Sequence, residues 1–225
     1  MKSKKVILFI VEGPSDESAL NAIFSKIFDQ NKVYFYIVHS DITVRNGVTP
    51  QTIISEVNEL VKIHMSKYGL RKKDMLKVVH IMDTDGAYVP DTAVKEDLKI
   101  SKPFYKSCEI NTNNPQNIIN RNKQKRANMN KLSLKPKING IPYLAIYMSC
   151  NLDHVLFNKV NIRDSDKQKE SINFAKKYKN DTNAFLSFIK ESDFSVQGTR
   201  KETWEYIKIN LNSLNRYTNL NILFE

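Results

Sequence analysis

The sequence predicts an α/β fold, a parallel β-sheet sandwiched by helices, followed by a helical C-terminal extension. Three observations predict it. Residues 5–11 form an unbroken β-rich apolar run, as expected of a strand buried on both faces of a parallel sheet. Strand-like and helix-like periodicities then alternate, which is the pattern of right-handed crossovers with helices on both faces. Beyond Asn151 only helical patterning remains.

Each element follows in order. Pro14 and Ser15 open a helix over residues 15–28, with Ala19, Leu20, Ile23, Phe24 and Ile27 on one face. Residues 33–38 are β-branched and aromatic and read as the second strand. Ile53, Ile54, Val57, Leu60, Val61 and Met65 repeat at helical spacing within residues 50–67. The third strand, residues 76–82, runs into Asp83, Thr84, Asp85 and Gly86, where the glycine supports a turn. A fourth strand over residues 143–148 follows a long insert, and helices are expected over 152–157, 167–178, 182–191 and 202–214. This divides the chain into residues 1–158, with a basic insert at about 103–140, and a helical extension over 159–225. Phe174, Tyr178, Phe185, Phe188, Trp204 and Tyr206 are expected to form a small core against the sheet rather than a base-stacking platform.

Composition excludes several classes. With 225 residues, 41% hydrophobic and 26% charged, the chain can bury a core, and its 6 Gly and 7 Pro are too few for collagen-like or linker sequence. The longest apolar runs, 6–11 and 141–148, fall far short of the roughly 20 residues a bilayer span needs. Lys2, Lys4 and Lys5 precede an apolar stretch, but Glu12 and Asp16 follow without a cleavage site, so no signal peptide is expected. Cys108 and Cys150 suit neither a metal pair nor a disulfide framework, and a cytoplasmic protein is the expectation. The net charge of +11 fits a polyanionic partner. No acidic residue lies between Glu109 and Asp153, whereas Arg121, Lys123, Lys125, Arg126, Lys131, Lys135 and Lys137 do. That Asn- and Gln-rich segment is expected to be a loop or loose helix pair holding a phosphate backbone, with a plain solvated face as the alternative.

In an open parallel sheet, ligands bind outside the carboxyl ends of the strands. Glu12 stands at the first such end, with Asp16 in the following helix's first turn; Asp83 and Asp85 stand at the third, and the fourth leads through Ser149 and Asn151 to Asp153. Clustered carboxylates resist simultaneous ionisation unless a cation sits among them. Magnesium, with manganese as the alternative, takes such hard oxygen ligands, polarises phosphate oxygens and orients water for in-line displacement. Asp83 and Asp85 are the expected ligands, and Glu12 completes the site or acts as general acid/base. A lone Asp-x-Asp also occurs in glycosyltransferases, dehalogenase-like phosphatases and ordinary turns, but such phosphatases carry it after the first strand, where this chain has Glu12. His39, His64, His80 and His154 have no zinc-like spacing; His154, beside Asp153, is either a general base or phosphate contact or a packing residue.

Residues 10–16, a strand ending in Glu-Gly, and residues 81–86, a strand ending in Asp-x-Asp, together resemble the Toprim domain of topoisomerases, primase-type enzymes, recombination proteins and small nucleases. The order of elements extends the resemblance over residues 1–153. It implies a Toprim/Rossmann-like sheet in which Glu12 is a general acid/base or metal ligand, Asp83 and Asp85 bind magnesium, and Asp16 is the further acid of nuclease branches. The chain has no room for a DNA gate and no zinc ribbon, and Ala87 stands where some members carry a third aspartate. Residues 149–157 are similar to the strand-then-acidic-helix segment of small antiphage and abortive-infection Toprim nucleases (overcoming-lysogenization-defect-like and RloB-like), which adds Asp153 to the metal set. A ribosomal-RNA-maturing Toprim ribonuclease of similar size has a shorter spacing between its glutamate and Asp-x-Asp. The resemblance thus implies a magnesium-dependent endonuclease, the effector of an antiphage system, often with an ATPase partner. DNA and RNA, transfer RNA included, stay open as substrates, as does oligomeric state. The alternative is a non-catalytic metal- or nucleotide-binding regulatory subunit of a multi-protein defence complex, with residues 212–224 as a docking edge.

Overall fold

Six consecutive buried apolar residues make β1 (Val6–Val11) the inner strand around which the sheet is built. The computed structural model describes residues 4–38 and 41–225. β2 (Lys32–Ile37) and β3 (Met75–Asp83) pair with β1 on either side, and β8 (Ile141–Met148) follows β3, all parallel; β7 (Lys137–Ile138) closes the edge as an antiparallel hairpin with β8. The order is β2-β1-β3-β8-β7, so strand order reverses between β1 and β3. That reversal opens a crevice at their carboxyl ends.

Alternation along β1 assigns the two faces. Leu8 and Ile10 meet α2 (Ile53–Lys67), through Val57 and Val61, and α3 (Pro115–Ser133), through Met129 and Leu132. Ile7, Phe9 and Val11 meet α1 (Pro14–Ile27), through Leu20, Ile23 and Phe24, together with Phe185 and Leu220 from the C-terminal part. Phe9 lies 4.8 Å from Phe24 and 5.1 Å from Phe35 between ring centroids, and Phe185 stands edge-on to Phe24. The α/β class and the four parallel strands are therefore as expected, with helices on both faces. No helix among the described residues is long and apolar enough to cross a membrane.

Three expectations are corrected. The basic insert is neither a loop nor a loose helix pair: β5 (Phe104–Tyr105) and β6 (Ile110–Thr112) join β4 (Val94–Glu96), which precedes the insert, in a small sheet of order β4-β6-β5, and the 19-residue α3 follows. Asn114 caps α3 by accepting the Asn117 N–H (3.1 Å), and Pro115 takes the first helical turn, where its missing N–H is harmless. Its buried stripe of Ile118, Asn122, Lys125, Met129 and Leu132 is helical in spacing but partly polar, so apolar periodicity does not reveal it.

The second correction concerns the end of the chain. α4 (Leu152–Phe157), α5 (Asp164–Tyr178) and α6 (Thr182–Glu191) form as expected, but α7 (Arg200–Tyr206) ends well before residue 214. The following segment passes through left-handed Asn210 (φ +50°), which a continuing helix cannot hold. The third is the proposed docking edge: within residues 212–224, Ser213, Leu214, Thr218, Asn219, Leu220 and Leu223 are buried, so this segment is core. The aromatics of the extension pack against the sheet, Phe185 on one face and Trp204 on the other, where its indole N–H donates to the Ala145 carbonyl (3.3 Å).

Phe24 is fully buried among five aromatic rings, so Phe24→Ala should lower unfolding free energy by about 3–5 kcal/mol, read as a shifted urea midpoint with an unchanged slope.

Candidate functional site

The crevice between β1 and β3 is lined with carboxylates. A cavity of about 210 Å³ is bounded by Glu12, Gly13, Asp16, Asp41, Asp83, Leu152, Asp153 and Lys167. Clefts of about 500 and 540 Å³ run along residues 99–105 and 159–170; their carboxylates are paired with cations, as in Lys102–Asp164, Arg163–Asp166 and Lys159–Glu170. The small cavity instead sets Glu12, Asp16, Asp41, Asp83 and Asp153 against Lys167.

Backbone bonds fix its carboxylates. Asp83 closes β3, and its Oδ1 accepts the Leu152 N–H at the start of α4 (2.9 Å). The Asp83 N–H donates to Glu12 Oε1 (3.2 Å), tying the two strand ends together. Asp16 Oδ2 accepts the Gly13 N–H (3.0 Å), so Asp16 also closes the first turn of α1. Asp153 is 5% exposed, and its Oδ1 is buried with no hydrogen-bond partner.

Asp85 is positioned differently. It adopts a left-handed conformation (φ +48°) just beyond β3, and Cys150 does the same beyond β8 (φ +57°). The two turns are stitched together: Asp85 N–H donates to the Cys150 carbonyl (2.7 Å), and buried Thr84 accepts the Cys150 N–H (2.8 Å) while donating to the Ser213 carbonyl (3.0 Å). Gly86 is obligatory behind them, because its φ is +68° and a Cβ there would stand 2.7 Å from Leu214 Cδ2. The Asp85 carboxylate bonds the Lys125 ammonium, which also bonds Asp41 Oδ2 (2.5 Å) and lies 4.0 Å from Glu12 Oε1. Arg121 donates to the Asp85 carbonyl (2.8 Å) and the Tyr105 hydroxyl (2.9 Å), and that hydroxyl donates to Asp85 Oδ1 (3.5 Å).

The electrostatics follow. Burial, reinforced by the charge of Asp41, raises Glu12 well above the carboxylate range, although Lys125 pulls the other way. Burial and then the charges of Glu12 and Asp16 raise Asp83 well above it too, and burial lifts Asp153 to about 6. Burial also pushes Asp85 up, yet Lys125 and Arg121 outweigh it and hold Asp85 below its ordinary value. Lys125, pushed down by burial, is held well above its usual range by Asp41, Asp85 and Glu12. The crevice thus resists full ionisation, whereas the Lys125 side is neutralised.

Among the described residues no three His, Cys, Asp or Glu side chains stand as a ready-made metal shell. The donor chemistry nevertheless fits magnesium: Glu12, Asp16, Asp83 and Asp153 supply hard oxygens around one cavity, one of them buried and unpartnered, and this ion needs few protein ligands because it keeps water and takes substrate phosphate.

The structure brings together Glu12, Asp16, Asp83 and Asp153, with Asp85 adjoining across Lys125. Lys125 is corrected as a nucleic-acid contact: it is fully buried and ion-paired, so no backbone phosphate reaches it from solvent. Arg121 is half-buried and committed to Asp85 and Tyr105. Lys123 is exposed but paired with Asp91 (3.0 Å); Lys131 and Lys137 are exposed, and Arg126 and Lys135 partly so. His80 is a satisfied core residue, its Nδ1 2.9 Å from the Tyr143 hydroxyl, and His64 is buried against Tyr34 and Tyr68; His39 lies outside the described residues. Sequence reading missed Asp41, Tyr105 and Lys167. Asp41 carried a partial signal, for it is the first carboxylate after β2, four positions beyond Ile37; Tyr105 and Lys167 reach the site through tertiary packing alone. No family model matches the chain, nor does any curated protein or solved structure.

Asp153 titrates near 6 against an ordinary 3.8, so the stability of its neutral form is present below about pH 4 and is lost as pH rises through 6. Asp153→Asn should therefore be more stable than wild type by about 1–3 kcal/mol near pH 8 in chelator and equal to it near pH 4, by urea denaturation.

Proposed function

We propose that this chain is a magnesium-dependent endonuclease of the Toprim type, acting on nucleic-acid phosphodiesters. The observation that carries the reading is the convergence of Glu12, Asp16, Asp83 and Asp153 on one cavity at the β1/β3 strand-order reversal, with a buried oxygen of Asp153 left unpartnered. The two motifs that resemble Toprim, around Glu12 and around Asp83, fall at the two strand ends that frame that crevice.

Asp83, Asp153, Asp16 and Glu12 would hold the ion, which when bound neutralises phosphate charge, polarises its oxygens and favours hydroxide over water. Glu12 Oε1 is fixed by the Asp83 N–H, leaving the other oxygen to hold or release a proton. In the ion-free crevice burial favours that proton, so Glu12 serves either as general acid/base or, once ionised, as a ligand of the ion. The cations still at the surface, Arg126, Lys131, Lys135 and Lys137 with Lys123, would hold backbone phosphates without reading sequence, giving affinity that falls with salt.

Action as the effector of an antiphage system, with an ATPase partner and in the cytoplasm, rests on the resemblance to small defence nucleases, and the two unpaired thiols accord with a reducing compartment. One observation favours the second reading, a non-catalytic metal- or nucleotide-binding subunit of a defence complex: Lys125 already neutralises Asp85, taking one Asp-x-Asp carboxylate out of free ligand duty.

Supercoiled DNA, single-stranded DNA and total transfer RNA, incubated with magnesium or manganese, decide between them. The nuclease reading expects cleavage of at least one substrate, reduced on the order of 100-fold or more in Glu12→Gln and Asp83→Asn, with binding kept within about twofold. Absence of metal-dependent cleavage, even with an ATPase partner added, would leave the binding subunit.

A further inference from the structure

The acidic edge divides into two halves according to what neutralises it. In one half, Asp41 and Asp85 share the Lys125 ammonium, and the Asp85 turn is further held by Arg121 and the Tyr105 hydroxyl. In the other, Glu12, Asp16, Asp83 and Asp153 line the cavity with Lys167 as its one cationic lining residue, and Asp153 Oδ1 has no partner. The deficit of positive charge lies entirely in the second half.

Lys125 cannot yield its place easily. It is 0% exposed on a helix pinned to the loop after β2: Asn128 donates to the Thr43 carbonyl (2.7 Å), and Gln124 donates to the Arg45 and Val48 carbonyls (3.1 and 2.9 Å). Arg121, one turn earlier, clamps the opposite side. An ion bound to Asp85 would strand a buried ammonium beside it, and breaking a buried pair that way is strongly unfavourable.

Building on the metal-dependent reading above, we propose that the Lys125 ammonium stands in place of a second cation, so that the site takes a single divalent ion among Glu12, Asp16, Asp83 and Asp153, while Asp85 serves the lysine. Lys125 is then a positioning residue whose fixed charge sets how many ions the site accepts. The two aspartates of the Asp-x-Asp motif have separate duties, Asp83 toward the ion and Asp85 toward the protein's own cation.

Titration calorimetry with manganese as the probe tests this, with circular dichroism confirming the fold of each variant. Wild type should bind one ion; Asp83→Asn should weaken binding by roughly 30-fold or more, and Asp85→Asn by no more than about threefold. Lys125→Met, which frees Asp41 and Asp85, should gain a second ion, and Lys125→Arg should return the count to one. Should Lys125→Met fail to fold, the contrast between Asp83→Asn and Asp85→Asn decides by itself. Two ions in wild type, equal losses in the two aspartate variants, or a folded Lys125→Met that still binds one ion would each overturn the inference while leaving a metal-dependent site standing. No binding of manganese to wild type would instead refute the metal-dependent reading, and this inference with it.

Discussion

Lys125 reaches from α3 into the carboxyl ends of β2 and β3, where its ammonium bonds Asp41 and Asp85. An unpaired charge at that depth would cost about 3–5 kcal/mol, so partners and lysine hold one another in place. This makes the segment between β3 and β8 part of the site, although it is an insert in the sheet's connectivity. The same pairing sorts the carboxylates: those the lysine reaches are neutralised, and those beyond it are raised by burial and mutual repulsion.

The far end of the chain supports this arrangement from behind. Ser149 N–H donates to the Tyr217 carbonyl (2.8 Å), Thr84 donates to the Ser213 carbonyl, and the Thr218 hydroxyl donates to the Tyr147 carbonyl (2.7 Å). These bonds satisfy the strand-end backbone just where β3 and β8 part, and allow Asp85 and Cys150 to hold left-handed conformations that ordinary residues avoid. Residues that look like a C-terminal appendage thus brace the turn that carries Asp85.

Much of this was legible in the sequence where a single periodicity dominates. The apolar run of β1, the amphipathic α1 and α2 and the strand ending in Asp83 all follow from residue spacing, and the rule that ligands gather at parallel strand ends led to Glu12, Asp83 and Asp153. α3 was hidden because its inward stripe carries Asn122, Lys125 and Asn128, whose burial depends on partners distant in sequence. For the same reason Lys125 looked like a phosphate contact: a charge's sign is plain from sequence, but which way its side chain faces is decided by Asp41 and Asp85, 84 and 40 positions earlier. Residues 212–224 mix amide and apolar side chains and resemble a surface edge, yet their amides are used inside, as where Asn219 accepts the Tyr147 N–H (2.9 Å).

The cavity sets Glu12, Asp16, Asp41, Asp83 and Asp153 against Lys167. A cation that binds the folded chain alone must stabilise it by mass action. The most direct measurement is the melting temperature of the wild-type chain near pH 8 as magnesium is raised from chelator to about 10 mM at constant ionic strength, with Asp83→Asn alongside. The account predicts a saturable rise of several degrees that is lost in Asp83→Asn. A wild-type melting temperature indifferent to magnesium throughout would contradict it.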